Sequence, residues 1–229
     1  MKRAAGIAAL IVAFSAQAQD WRVSSDQAVR GFEFPESVAC DAKRKVLYVG
    51  NFGGAKLDPT GKDGLGYIMK VGLDGKPMGD KQFLPGPGGE KLNKPKGIWI
   101  EGNRLWTTDI DVVWVFDLNT RKGRKFAVPG MVFGNDPAVL GRTLYVSDNR
   151  ADQLWKIEPA DFLNMKGEPK ATSVFKDAGV NPNGLHPARD GMLYMVGFAP
   201  KEMRRLQVKE PFDAEQAANR ILETSRIMI

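Results

Sequence analysis

Along most of this chain, apolar residues gather in short runs separated by tight polar turns. "RTLYVSDN" predicts a strand over Thr143–Ser147, and "QLWKIE" predicts a second strand behind a turn. "VVWVFDLNTRKGRKFAVP" reads as a strand over Val112–Leu118, a turn over Asn119–Gly123 and a strand over Arg124–Val128. "GYIMKVGLDGKPMGDKQFL" gives another pair around the turn "LDGK", and "ATSVFK" is the partner that follows "QLWKIE". Helical spacing is read only in the tail, residues 210–229. There Ala214, Ala217, Ala218, Ile221 and Leu222 recur with helical period, and Asp213 is the N-cap candidate.

Four segments lie over one another: "PESVACDAKRKVLYVGNF", "PKGIWIEGNRLWTTDI", "NDPAVLGRTLYVSDN" and "PNGLHPARDGMLYMVGF". Each opens on Pro, Gly or Asn beside a polar residue. An apolar run, a polar turn and an apolar strand around Tyr48, Trp106, Tyr145 or Tyr194 follow. These aromatics are 58, 39 and 49 residues apart. Repeats of that length made of short strands are the mark of a β-propeller, in which each blade covers the face of the next. The expected fold is therefore all-β, with four-stranded antiparallel blades over residues 19–209, about four of them, and a short C-terminal helix. "GGAKLDPTGKDGLG" lengthens the first repeat and reads as a surface loop. It lacks the Gly-x4-Gly-Lys spacing of a phosphate loop.

Composition adds location and excludes partners. Lys2 and Arg3, the apolar run Ala4–Phe14 and "AQA" at 16–18 form a signal-peptide pattern, with the mature chain expected to start at Gln19. Eleven apolar residues are too few to cross a bilayer, which takes about 20. The expected location is secreted or periplasmic, with no membrane partner for the mature form. Without Lys2 and Arg3 the formal charge of +6 becomes +4. The basic clusters "KRK" at 43–45 and "RKGRK" at 121–125 sit at expected turns, so no nucleic-acid partner is expected. Cys40 is the only cysteine, which excludes an intrachain disulfide, and its apolar strand setting predicts a small core residue.

Candidate chemistry comes from the repeat. Residues at one offset in successive blades become neighbours, and here they are Glu36, Lys96, Asn135 and Asn183. One carboxylate and two amide oxygens suit a hard divalent cation of the Ca²⁺, Mg²⁺ or Mn²⁺ class. The alternative is that Asn135, Asp136 and Asn183 are turn residues. Asp41, Asp109, Asp117 and Asp148 stand in strand or turn contexts and read as structural. His186, the only histidine, reads as a loop residue near the same end.

"PESVACD", "FGNDPAV" and "PNGL", in that order, resemble the regucalcin/gluconolactonase-like family of six-bladed propellers, in its secreted bacterial branch. The resemblance implies an incomplete six-bladed ring, with Glu36 and Asn183 as metal ligands and Asn135 at the metal or substrate. It implies hydrolysis of sugar lactones or related esters, with a metal ion polarising the carbonyl and activating water. Two departures weaken the activity it implies. Phe133 stands where the family's hydrolases carry a substrate-holding arginine, and no fifth repeat supplies their aspartate base. Three readings follow: a metal-dependent lactonase or esterase, a non-catalytic propeller binding a ligand or partner protein, and an impaired piece of a longer propeller.

Overall fold

The structure is a computed structural model, and it describes residues 26, 28–198 and 202–208. The expected signal peptide and C-terminal helix lie outside the described residues. Contacts divide the chain at Arg30, and everything below concerns the unit that begins at Gly31.

Fourteen strands form four antiparallel sheets among the described residues. The first holds β1 (Pro35–Asp41), β2 (Val46–Asn51) and β3 (Tyr67–Gly72). The second holds β4 (Pro95–Glu101), β5 (Arg104–Asp109), β6 (Val112–Asp117) and β7 (Gly123–Ala127). The third holds β8 (Gly134–Leu140), β9 (Thr143–Asp148), β10 (Gln153–Glu158) and β11 (Lys170–Lys176). The fourth holds β12 (Pro182–Pro187), β13 (Met192–Gly197) and β14 (Met203–Gln207). Every sheet is a meander in sequence order. The first strands pack side by side, β1 on β4, β4 on β8 and β8 on β12, as the inner strands of propeller blades do.

The middle strands of the first three blades are mostly buried on both faces, which explains why they read as apolar runs, whereas β13 leaves Val196 44% exposed. Leu105, Trp114 and Phe116 turn toward the first blade, where Tyr48, Ile68 and Leu84 meet them. Their neighbours Trp106, Val113 and Val115 turn the other way, onto Val139, Leu144, Val146 and Trp155. Tyr145 and Leu154 complete the next seam with Leu185, Leu193 and Met195. The repeat aromatics Tyr48, Trp106 and Tyr145 thus each face the following blade. Full burial of such a side chain stabilises by about 1.5–3 kcal/mol.

Two expectations are corrected. The first blade has three strands rather than four, because the segment after β3 pairs only through bridges at Pro77, Leu84 and Leu92. Pro77 and Pro85 have no N–H to give a ladder. The fourth blade likewise shows three strands among the described residues. Cys40 is exposed rather than a core residue. Ser37 and Ala39 of β1 turn toward the second blade, so Val38 and Cys40 turn away from it, and Val38 is 64% exposed.

The inserted loop is indeed without strands over 53–65. Its Asp63 reaches the buried Lys94, Nζ to Oδ2 2.7 Å. The basic clusters serve turns. Arg44 bonds Asp41 and the Gly102 carbonyl, and Arg124 bonds the carbonyls of Phe162, Met165 and Gly167.

Candidate functional site

Each inner strand starts with the same irregularity. Its first residue pairs with the last residue of the second strand: Pro35 with Asn51, Pro95 with Asp109, Gly134 with Asp148, Pro182 with Gly197. The register then slips before Ser37, Ile98, Pro137 and Leu185. Such a bulge carries one residue without a partner and re-aims its side chain. The bulge residues are Glu36, Lys96–Gly97, Asn135–Asp136 and Asn183–Gly184. Glu36, Lys96, Asn135 and Asn183, in phase in the sequence, therefore hold equivalent places on adjacent blades, at one end of the arc. We call this end the mouth.

Other residues build the frame around it. The Asn51 amide oxygen accepts from the Glu33 N–H at 3.1 Å. The Asp109 carboxylate accepts from the N–H groups of Asn93 (2.8 Å) and Lys94 (2.7 Å). The Asp148 carboxylate accepts from Val132 and Phe133, both at 2.9 Å. In three blades, then, the last residue of the second strand ties down the loop that leads into the inner strand. Asp41 and Asp117 accept backbone N–H bonds in turns. All four aspartates read as structural are so.

Hydroxyls join the blades at the bulges. Ser37 donates to the Lys96 carbonyl, Thr108 to that of Asn135 and Ser147 to that of Asn183. The backbone of three of the four bulges is thereby used, while the side chains of Asn135 and Asn183 make no hydrogen bond to another described residue. Asp136 ties three blades. Its Oδ2 accepts from the Leu185 N–H at 2.7 Å, and its Oδ1 fills the space beside Gly97, where an added Cβ would come within 2.2 Å. Burial pushes the Asp136 carboxyl up to about 7; the Leu185 bond opposes this and the Glu36 charge adds to it.

Lys96 is 1% exposed. Its Nζ stands 4.2 Å from the centre of the Phe133 ring and 5.7 Å from that of Phe52. Its one hydrogen bond among the described residues is to the Lys94 carbonyl, at 3.4 Å. Burial lowers the Lys96 ammonium to about 8, against the pull of Asp109 and Glu36 and with the push of Arg150 and Lys94. The Arg150 guanidinium lies over the same Phe133 ring, 4.3 Å from its centre. Arg150 thus brings a guanidinium to the Phe133 ring, although position 133 itself carries none. Glu36 is open to solvent, yet the surrounding protein raises its carboxyl, opposed by Lys96 and by a Ser37 hydrogen bond. Both hold for a carboxylate on a concave, wet surface.

The donors fit a weakly held hard cation, with one carboxylate and two amide oxygens. Two features limit that fit. No group of three or more His, Cys, Asp or Glu able to hold a metal occurs among the described residues. Lys96 also places an ammonium at the remaining bulge position, on the second blade. His186 lies on β12 rather than in a loop, and it is exposed. An open cavity of about 530 Å³ lies on the outer strands, lined by Lys125, Phe126, Pro129, Glu168 and Pro169, and it shares no residue with the mouth. The sequence reading missed the burial of Lys96, the bridging role of Asp136 and the stacking of Arg150. Only the Lys96 offset gave a signal for any of them.

No protein-family profile matches the sequence, and no curated protein matches it. Among solved structures the chain is similar to the PQQ-bound form of an aldose sugar dehydrogenase from Streptomyces coelicolor. The TM-score is 0.50 at 13% identity, over 77% of this chain and 63% of that one. It is similar also to the extracellular domain of a putative hybrid two-component system from B. thetaiotaomicron, with TM-score 0.50 at 14% identity, over 76% of this chain and 24% of that one. A putative gluconolactonase superposes with TM-score 0.48 at 17% identity, over 77% of this chain and 75% of that one. At these identities the likeness extends to the propeller fold alone.

Proposed function

We propose that this chain is a small-molecule-binding β-propeller of the sugar-lactone and ester hydrolase type, with its ligand site at the mouth. Glu36, Asn135 and Asn183 would hold a divalent cation of the Ca²⁺, Mg²⁺ or Mn²⁺ class. The observation that carries this reading is the shared bulge, which sets these three side chains at equivalent places on blades that pack on a common inner face. The motifs "PESVACD", "FGNDPAV" and "PNGL" support it. When bound, the cation would polarise an ester carbonyl and lower the pKa of its water. Glu36 brings the charge, the two amides orient the ligand, and Phe133 forms an apolar wall. The signal-peptide pattern at residues 2–18 supports export, and a mature N-terminus at Gln19, read by mass spectrometry of exported protein, is its test.

Turnover is expected to be poor. The trio holds one carboxylate, and cation affinity rises with ligand charge. Lys96 draws on the same Glu36 charge. The fifth-blade aspartate base has no counterpart among the described residues, and loss of a general base lowers rates by about 10²–10⁴. Lys96 at the second blade's bulge favours a second reading, a binding module without catalysis. The assay is hydrolysis of gluconolactone and an aryl ester with Ca²⁺, Mg²⁺ or Mn²⁺, together with melting temperature against each ion. A metal-dependent rise in Tm that disappears in Glu36→Gln supports the site. Binding of the ion without turnover selects the second reading, and no response of Tm at millimolar metal removes the cation from both.

A further inference from the structure

We propose that residues 213–229 form an amphipathic helix that packs its apolar side on the outward face of the fourth blade and caps the arc there. This concerns the frame and does not rest on the reading of the mouth.

In the first three blades the repeat aromatics Tyr48, Trp106 and Tyr145 are buried under the next blade. Tyr194 holds the same place in the fourth blade and is only half-buried. Leu193 and Met195 of β13 face the third blade, so Met192, Tyr194 and Val196 face outward. β14 adds Met203 opposite Val196, and Arg205 opposite Tyr194. Met203 is 64% exposed, and Phe198, just past β13, is 71% exposed. The wet face of an antiparallel sheet ordinarily turns polar at alternate positions. Here the outward positions of β13 are as apolar as the inward ones, which is the pattern of a strand meant to be covered on both sides.

A second copy would have to offer the outward face of its first blade, the other end of the arc. That face is already filled in part. Val49, Tyr67, Met69 and Val71 are buried on it, and Phe32, from the chain leading into β1, packs against them. At the fourth blade the equivalent cover is the chain leading out of β14. Residues 209–229 lie outside the described residues and follow directly on Val208. Ala214, Ala217, Ala218, Ile221 and Leu222 share one side of a helix started at Asp213, and Gln216 and Glu223 stand on the opposite side. From Asp213 to Ile229 such a helix would be about 25 Å long, against about 20 Å for a strand the length of β13, so it reaches from one end of the blade to the other. Its alanines let it lie close on the sheet, and Ile221 and Leu222 bring the aliphatic bulk that Leu185 and Leu193 bring to Tyr145 at the preceding seam. The tether from Val208 to Phe212 is short, which sets the tail's effective concentration at the face on the order of millimolar.

The test is disulfide cross-linking in the full chain carrying Cys40→Ser, with Val196→Cys on the blade and a second cysteine in the tail. Val196 is exposed, so its replacement leaves the core intact. Under copper-phenanthroline oxidation, Val196→Cys should bond within one chain to at least one of Ala217→Cys, Ala218→Cys and Ile221→Cys about tenfold faster than to Gln216→Cys or Glu223→Cys. In a second measurement, Ile221→Glu should lower Tm by at least about 3 °C and raise the fluorescence of an anilinonaphthalene sulfonate dye, because the apolar face is released. Equal rates for the two sides of the tail, or an unchanged Tm and dye signal in Ile221→Glu, each overturns the proposal. Bonds that form between chains rather than within one overturn it too, and assign the face to a second copy.

Discussion

Asp148 is the residue whose removal should cost the fold most for its size. It is fully buried at the end of β9. Its Oδ1 accepts from Phe133 N at 2.9 Å and Ala151 N at 3.3 Å. Its Oδ2 accepts from Val132 N at 2.9 Å and Trp155 Nε1 at 3.2 Å. Hydrogen bonds to a charged group contribute about 1.5–3 kcal/mol each, and a buried donor left without a partner costs about 1–3 kcal/mol. The four share one carboxylate and are not additive. The two short bonds dominate, so Asp148→Ala should cost about 3–5 kcal/mol. In a domain of this size 1 kcal/mol lowers Tm by about 2–4 °C, which predicts a fall of about 6–20 °C. Asp148→Asn should lose nearly as much, because its NH₂ would face two donors on one side. Urea denaturation with tryptophan fluorescence measures both. A loss below about 1 kcal/mol in Asp148→Asn would refute the assignment of this carboxylate as the tie for the β8 loop.

Two further outcomes follow from the mouth and its seams. Lys96 is lowered from 10.5 to about 8, so between those values the unfolded chain binds a proton that the folded one does not, and stability should rise with pH there. The penalty is fully present below pH 8 and amounts to about 3 kcal/mol; Lys96→Met should therefore stabilise at pH 7, with the gain shrinking by pH 10.5, and a pH-independent difference in urea midpoint would count against it. At the first seam, Ser37→Ala should cost about 1 kcal/mol through its lost bond to the Lys96 carbonyl. Gly50→Ser should restore it only when combined with Ser37→Ala, since a Cβ on Gly50 sits 3.0 Å from Ser37 Oγ, and additive single effects would disprove the exchange.

The strands were legible because both faces of the middle strands in the first three blades are mostly buried, which writes continuous apolar runs such as "VVWVF" and "LYVS" into the sequence. The offset of Glu36, Lys96, Asn135 and Asn183 was legible for a related reason: the bulges recur in register with those runs. Cys40 was misread because alternation in "SVAC" marks two faces without telling which one another blade covers. The second pairing of β3 was misread because the "LDGK" turn is real, with Gly72 N bonded to Lys76 O at 2.8 Å, while the prolines beyond it cut the ladder short. Lys96 gave its position but not its burial. The rings that cover it, Phe52 and Phe133, come from two other blades. Arg150 reaches Phe133 from the turn after β9, and Asp148 accepts from both Phe133 N and Ala151 N beside that contact.

Frame and site are carried by different atoms at the mouth. The loops are tied by Asn51, Asp109 and Asp148, and the seams by Ser37, Thr108 and Ser147, all acting on backbone groups. The side chains at 36, 96, 135 and 183 hold none of these bonds. Each can therefore change its chemistry without unfastening its blade, and the cost of a buried ammonium at position 96 falls on overall stability rather than on blade geometry. Asp136 is the exception. It is both a neighbour of the site and a tie between β4, β8 and β12. A charge or ligand that moves Asp136 must act on the packing of three blades at once, whereas one that engages Glu36, Lys96 or the two asparagines acts on the mouth alone.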